Sequence, residues 1–312
     1  MLALAKMNYH DPVLLTEILG LAPTARRVVD GTLGDGGHSA AFLERGAEVL
    51  AFDRDPDAVA RAVARLGARS LRPIHGNVFD RPALEEITAF APDLILLDLG
   101  VSSRQLDDPE LGFSFRPGTQ LDMRMDRVGP TAADLLNEAP PETLRDWFRD
   151  YGDEPRADRL AREIVRRRAT GTFRVSDDFV NAIRGALGSK TGPGDFARLF
   201  QSVRIAVNQE LPGLEGALPA LRDALIAGGT LAAISYHSGE DRVVKHAFRE
   251  WSAACVCPPH TPMCVCRGRP LGVLVTRHPI RPSAEEIAGN PRARSAKLRV
   301  FRSASDGGDQ EV

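Results

Sequence analysis

Between residues 27 and 99 the chain alternates short apolar runs with stretches of helical period, and this alternation narrows the choice of fold more than any other feature. Runs at 27–33, 48–53, 71–75 and 93–99 read as strands. The intervals 37–45, 56–66 and 82–90 read as helices. The fourth run is almost wholly apolar, as a strand covered on both faces must be. Strands separated by helices pair in parallel through right-handed crossovers. The expected architecture is therefore an α/β fold with a mostly parallel sheet.

The rhythm breaks after residue 99. Residues 102–126 have little periodicity and read as a long loop. From 131 to about 200 the pattern is helical only, with helices expected at 132–138, 141–151, 156–168 and 176–187. Two more helices, 197–210 and 213–227, are expected on either side of Pro212. Gly228-Gly229 stops the second, and 230–235 reads as a fifth strand. A helix at 240–251 follows, and 273–276 with 297–302 would close the sheet as a hairpin-like pair. The domain reading is a core of residues 1–120 and 198–312 carrying an inserted all-helical domain, 121–197.

The string Asp30-Gly31-Thr32-Leu33-Gly34-Asp35-Gly36-Gly37-His38 follows the first strand and opens the first helix of the alternation. Glycines there let the backbone turn sharply and come close to a ligand. The second strand ends at Asp53, where a carboxylate typically accepts hydrogen bonds from both hydroxyls of a ribose. Together these describe an adenosine site. A nicotinamide dinucleotide would require G-x-G-x-x-G, with its pyrophosphate on the helix N-terminus. Here Ser39 stands where the third glycine belongs. The acid is instead followed by glycines one, four, six and seven positions on. This spacing resembles the first motif of class I (Rossmann-like) methyltransferases, whose cofactor, S-adenosyl-L-methionine, carries no phosphate.

Ligands of an open parallel sheet lie beyond the carboxyl ends of its strands, near the switch point. The fourth strand ends there in Asp98-Leu99-Gly100. Methyltransferases acting on exocyclic amines commonly carry an Asn or Asp at this place, followed by prolines and an aromatic residue. Asp98 fits the first position, whereas Leu99 and Gly100 do not fit the prolines. An exocyclic amine conjugated with its ring is a weak nucleophile. A carboxylate accepting its N–H would localise the lone pair and aim it at an electrophilic methyl group. Asp98 is the candidate catalytic residue; capping of the following loop, or holding the cofactor's amine, is the competing role.

Longer strings occur in order along the chain: Val13-Leu14-Leu15, DGTLGDGGHS, FDRDP, LLDLGVSSRQLDD, GFSF, LDMRMD, FQSVRIAVNQEL, YHSGEDRVVK and NPRARSAKLRV. Over nearly its whole length the chain thus resembles the ribosomal RNA small subunit methyltransferase H family, the 16S rRNA cytosine-N4 methyltransferases. The resemblance implies N4-methylation of the cytidine at position 1402 of 16S rRNA. It implies a class I methyltransferase core with a helical insertion that helps recognise RNA. It implies cofactor contacts at Gly36, Gly37, His38, Asp53, Asp98 and Gln105, to which the glycine turn adds Gly34. The family's aromatic residue after the third strand falls one residue late here, at Phe79, which is the candidate for the adenine.

The same resemblance makes 16S rRNA in the 30S subunit the expected partner. Net charge is only −2, which gives no global pull toward nucleic acid. Local basic stretches do better: the arginine-rich helix 156–168 is the candidate wall for an RNA backbone, and 292–302 is strongly basic. Arg124, His237, Ser238, Arg292, Arg294 and Lys297 are the candidate RNA-binding residues, with an internal salt bridge as the competing role of Arg124. Four cysteines, Cys255, Cys257, Cys264 and Cys266, lie within one short stretch. Two C-x-C pairs are compatible with a structural zinc, but the sequence leans towards a reduced-thiol loop. Members of the family differ in whether they carry the segment, so it is not part of the chemistry. Residues 1–6 are too short and too weakly apolar for a secretory signal, and no apolar run approaches the roughly 20 residues of a membrane helix. A cytoplasmic protein without membrane contact is expected, its oligomeric state open, a homodimer included. Two other functions stay open: a cofactor-binding ribosome-assembly factor without turnover, and a methyltransferase of another substrate.

Overall fold

The computed structural model describes residues 12–67, 70–258 and 263–305, so the segment 1–6 lies outside the described residues. Its first half runs α1 (Leu15–Leu21), β1 (Arg27–Asp30), α2 (Gly37–Glu44), β2 (Glu48–Asp53), α3 (Pro56–Leu66), β3 (Leu71–His75), α4 (Arg81–Phe90) and β4 (Leu94–Asp98). Six helices follow: α5 (Ser103–Asp107), α6 (Ala132–Glu138), α7 (Pro141–Asp150), α8 (Ala157–Arg168), α9 (Ser176–Leu187) and α10 (Pro193–Asn208). The chain ends with α11 (Glu210–Ala224), β5 (Thr230–Ser235), α12 (Ser238–Ser252), β6 (Gly272–Leu274), α13 (Ala284–Gly289), a 3-10 turn Pro291–Ser295 and β7 (Lys297–Ser303). The expected α/β core with a mostly parallel sheet is borne out.

The chain divides into two compact units, residues 1–100 with 212–312, and residues 101–211. The first is built on a seven-stranded sheet in the order β3-β2-β1-β4-β5-β7-β6. β1 to β5 are parallel, whereas β7 is antiparallel to both β5 and β6. Alternate residues of each central strand feed two apolar layers. Val28, Val49, Leu94, Leu96 and Ile234 pack toward α1 and α2 with Ile18 and Phe42. Val29, Leu50, Phe52, Ile95 and Leu97 pack on the opposite layer with Ile87, Leu221 and Phe248. Both faces are covered, which is why β4 has no polar residue before Asp98. Chain order reverses between β1 and β4, so the switch point lies between their carboxyl ends, at Asp30 and Asp98.

The second unit is all-helical. Its core joins Leu136, Leu144, Phe148, Leu160, Phe179 and Val203, with the rings of Phe179 and Phe200 4.9 Å apart. The boundaries differ from the sequence reading: the helical unit starts at 101 rather than 121 and ends at 211 rather than 197. Phe113, Leu121 and Met123 explain the early start, because they are buried in the helical core rather than lying in a solvated loop. The stretch 102–126 also contains α5, closed by a capping box in which Ser102 Oγ accepts from Gln105 N–H and Gln105 Oε1 accepts from Ser102 N–H. The helix break expected at Pro212 falls at Gln209, which takes left-handed angles (φ 51°). Pro212 is the third residue of α11, where a missing N–H costs no intrahelical bond.

Candidate active site

Three parallel strands of the first unit end in acids: β1 in Asp30, β2 in Asp53 and β4 in Asp98. The glycine turn connects them. Asp30 accepts Ser39 Oγ at 2.6 Å and Thr32 N–H at 3.2 Å, which fastens the turn to α2. Thr32 Oγ1 in turn accepts the Asp98 N–H at 2.7 Å. Asp53 Oδ2 accepts Gly34 N–H at 2.7 Å, and its Oδ1 accepts Asp55 N–H at 2.9 Å. Each Asp53 oxygen therefore keeps a lone pair for a further donor, as two vicinal hydroxyls require.

Gly34 and Gly36 both take positive φ, 53° and 78°. A Cβ on Gly36 would also lie 2.7 Å from Leu66 Cδ1, so a side chain there would have to displace the tip of Leu66 as well as take left-handed angles. Pro12 packs on Gly37, and His38 Nε2 donates to Val13 O at 3.0 Å. The N-terminal Val13-Leu14-Leu15 string thus braces the turn from behind. That hydrogen bond needs a proton on Nε2, since a carbonyl only accepts, and the other ring nitrogen, Nδ1, lies 3.9 Å from Asp98 Oδ2.

Asp98 is the centre of the arrangement. Its Oδ1 accepts the Tyr236 hydroxyl at 2.8 Å, and the carboxylate keeps 23% exposure beyond the sheet edge. Desolvation raises its pKa to about 6, against the lowering pull of His38 and the Tyr236 hydrogen bond. Desolvation likewise raises Asp53 to about 6, despite two N–H donors. Burial and the Asp98 charge push the Tyr236 hydroxyl far up, which keeps it a neutral donor. Tyr236 opens the string YHSGEDRVVK, in which the sequence alone assigns it no role. The signal for it is strand order: β5 pairs with β4, Asp98 lies opposite Ile234, and Tyr236 follows two residues on.

The remaining candidates have definite places. Phe79 is half-buried with its ring against Gly213, in the apolar layer that contains α11. His237 is the N-cap of α12; its Nδ1 accepts Glu240 N–H at 3.4 Å and its Nε2 is 3.2 Å from the Glu240 carboxylate. Ser238 is the exposed first residue of that helix. Arg292 and Arg294 are exposed on the 3-10 turn, whereas Lys297 is paired with Asp241 at 3.3 Å. In the helical unit, Gln105 is buried within its capping box. Arg124 makes a two-pronged pair with Asp122, at 2.8 Å on each prong, and donates to Gly129 O. The competing salt-bridge role of Arg124 is the one the structure shows. Four of the five arginines of α8 are also engaged locally: Arg162 with Asp158, Arg166 and Arg167 with Glu163, and Arg168 with Ala139 O. With two acids against five arginines, the helix keeps a net positive charge despite these pairs. A hollow of about 560 Å³ lies outside β3 and α4, lined by Ile74, Asn77 and Glu86 among others, and none of the three acids at the switch point faces it.

A carboxylate edge at a switch point, a glycine turn bonded to an acid with spare lone pairs, and a half-buried tyrosine on Asp98 make up the site. The sequence pattern of the MraW methylase family matches residues 7–304. The chain belongs to the MraW methylase family. A protein named Ribosomal RNA small subunit methyltransferase H from Gemmatimonas aurantiaca is 56% identical over 305 residues, covering 95% of this chain and 96% of its own. Its namesakes from Thermomicrobium roseum and Heliobacterium modesticaldum are 47% and 44% identical, over 96% and 94% of this chain. As an MraW methylase the chain is an S-adenosylmethionine-dependent methyltransferase. The residues fit that cofactor: Asp53 has the lone pairs for its ribose, and the three strand-end carboxylates suit its positive sulfonium.

Proposed function

We propose that this MraW methylase methylates N4 of a cytosine in small-subunit 16S rRNA, at the cytidine of position 1402, within the 30S particle. The observation that carries the chemical part is the Asp98 carboxylate at the carboxyl end of β4: Oδ1 is held by Tyr236, Oδ2 lies 3.9 Å from His38 Nδ1, and the side chain keeps 23% exposure. The names of these relatives support the choice of rRNA.

The turn at Gly34–Gly37 and the Asp53 carboxylate would hold S-adenosylmethionine, which supplies an electrophilic methyl group when bound. Asp98 Oδ2 accepts an N–H of the cytosine amine and orients its lone pair. As the N–C bond forms, the S–CH3 bond breaks and a neutral thioether leaves; the amine, made cationic by the new bond, passes its proton to Asp98 Oδ2, whose pKa near 6 suits that transfer. Tyr236 fixes the other oxygen throughout. The reacting base must leave its stack, which costs a few kcal/mol and least in single-stranded RNA. Arg292 and Arg294 on the exposed turn are the proposed phosphate contacts, and the helical unit the proposed RNA-recognition element.

The test is transfer of labelled methyl groups to small-subunit particles from cells lacking the enzyme, with the modified nucleotide mapped. Label in N4-methylcytidine at a single position is expected. Label on free metabolites or protein instead would overturn the substrate, and no label with intact cofactor binding would favour an assembly factor.

The acceptor must be ionised, so kcat/KM is expected to rise with pH through about 6 and level off above pH 7. The Tyr236 hydrogen bond lowers the Asp98 pKa, so Tyr236→Phe should move the rising limb to higher pH. Asp53 titrates in the same range but does not touch Tyr236, so the displacement isolates Asp98. A limb that stays in place in the Phe variant would show that another group controls the rate.

A further inference from the structure

Between α12 and β6 the chain makes an excursion of about twenty residues with no buried side chain among its described members. Its base is pinned to the sheet unit. Leu271 N–H donates to Trp251 O at 2.8 Å, and the Arg267 guanidinium bonds the Glu250 carboxylate at 2.7 Å and Ala253 O at 3.3 Å. Among the described residues of its outer part, the apolar side chains Met263 and Val265 are 77% and 81% exposed. Yet this outer part brings together all four cysteines of the chain.

We propose that Cys255, Cys257, Cys264 and Cys266 bind one zinc ion as a tetrathiolate. The four sulfurs all lie within 4.8 Å of one another. Four of the separations are 3.8 Å (Cys255–Cys264), 3.8 Å (Cys257–Cys264), 3.4 Å (Cys264–Cys266) and 3.9 Å (Cys255–Cys266). A tetrahedron of sulfurs around zinc, with Zn–S of about 2.3 Å, has edges of about 3.8 Å. A disulfide would bring two sulfurs to about 2.05 Å and leave the other pair apart. Neutral thiols attract one another too weakly to gather four side chains on an exposed loop.

A second feature points to thiolates. Val256 N–H, at 3.4 Å, and Gly268 N–H donate to Cys266 Sγ, and Cys266 N–H donates to Cys264 Sγ. Backbone donors of this kind stabilise metal-bound sulfur and fix its orientation. Four soft sulfur donors in tetrahedral array select zinc over harder divalent ions. With all four positions filled by protein, the ion is structural: it closes the loop and takes no part in methyl transfer. The reading favoured by the C-x-C spacing alone, a loose reduced-thiol loop, gives way to the convergence of the four side chains.

Binding releases the thiol protons and changes no oxidation state. The test is elemental analysis of the intact enzyme purified without chelator from zinc-supplemented cells. About one zinc per chain is expected, with X-ray absorption showing four sulfurs at about 2.3 Å. Cys264→Ser and, separately, Cys255→Ser should lose most of the metal. Because the wild-type stoichiometry stands alone, a variant that fails to fold does not blunt the test. Less than a tenth of a zinc per chain, stoichiometric iron, a Cys264→Ser variant with full zinc, or an intact mass showing disulfides would each overturn the proposal. None of these readouts depends on methyl transfer.

Discussion

Replacing Asp98 by Ala is expected to lower the rate of methyl transfer at saturating cofactor by at least about 100-fold, the low end of what a positioned acid–base group contributes. The variant removes Oδ2, the proposed acceptor of the amine, and leaves the Tyr236 hydroxyl without its acceptor. Asp98→Asn keeps the shape and a carbonyl acceptor but cannot take the proton, so its rate should fall between those of Ala and wild type. Stability should respond differently. The fold raises the Asp98 pKa, so the native state binds a proton more tightly than the unfolded chain between the ordinary carboxylate value and about 6. Stability from this group is present at low pH and is lost as pH rises through that window. At neutral pH the charged carboxylate thus weighs against folding, and Ala should leave the urea midpoint unchanged or higher. Single-turnover methylation of rRNA beside urea unfolding makes the comparison. A rate within tenfold of wild type in the Ala variant would remove Asp98 from the chemistry.

How far the sequence announced this arrangement depends on the range of the interaction. The helices 56–66 and 132–138 and the strands 48–53, 71–75 and 230–235 coincide with their observed limits. Their signals are local: Asp55 caps α3 with Pro56 behind it, and Thr131 and Asp134 form a capping box. Asp53 and the glycine turn were legible because the turn and the acid flank consecutive elements. The Tyr236–Asp98 bond was not, since it spans 138 positions and exists only because β5 lies beside β4. The loop around LDMRMD misled for the same reason. It has no period of its own, but Asn208 donates to Met123 O and accepts Met125 N–H from 83 or more residues away. Charge patterning alone does not show pairing: Arg124 and Arg162 sit beside acids in the sequence and pair with them, and Arg166 and Arg167 share Glu163, so α8 keeps an excess of positive charge.

The string Tyr236–Lys245 holds a residue whose importance is structural, and its loss should be the most damaging to the fold. Asp241 accepts Arg299 Nε at 2.6 Å and Lys297 Nζ at 3.3 Å. Arg299 stands in the middle of β7, 5% exposed, so its guanidinium has little water to fall back on. Asp241→Ala would strand that charge beside β5, and breaking a buried pair from one side costs about 3–5 kcal/mol. Replacing both partners, as in Asp241→Leu with Arg299→Met, removes the orphan charge and should recover most of the loss, a non-additivity that a double-mutant cycle reads directly. The pH dependence has a definite sign. Burial alone would raise the Asp241 pKa, but Arg299 and Lys297 more than offset it and hold the carboxyl below its ordinary value. The pair therefore contributes fully above the unfolded carboxylate value of about 3.9 and is lost as pH falls through the lower folded value. The gap between wild type and Asp241→Ala in urea unfolding should be constant near neutrality and shrink only in acid. If the single variant cost less than about 1 kcal/mol at pH 7, in the range of exposed ion pairs, Arg299 would have to find water or another acceptor on unfolding the edge of the sheet.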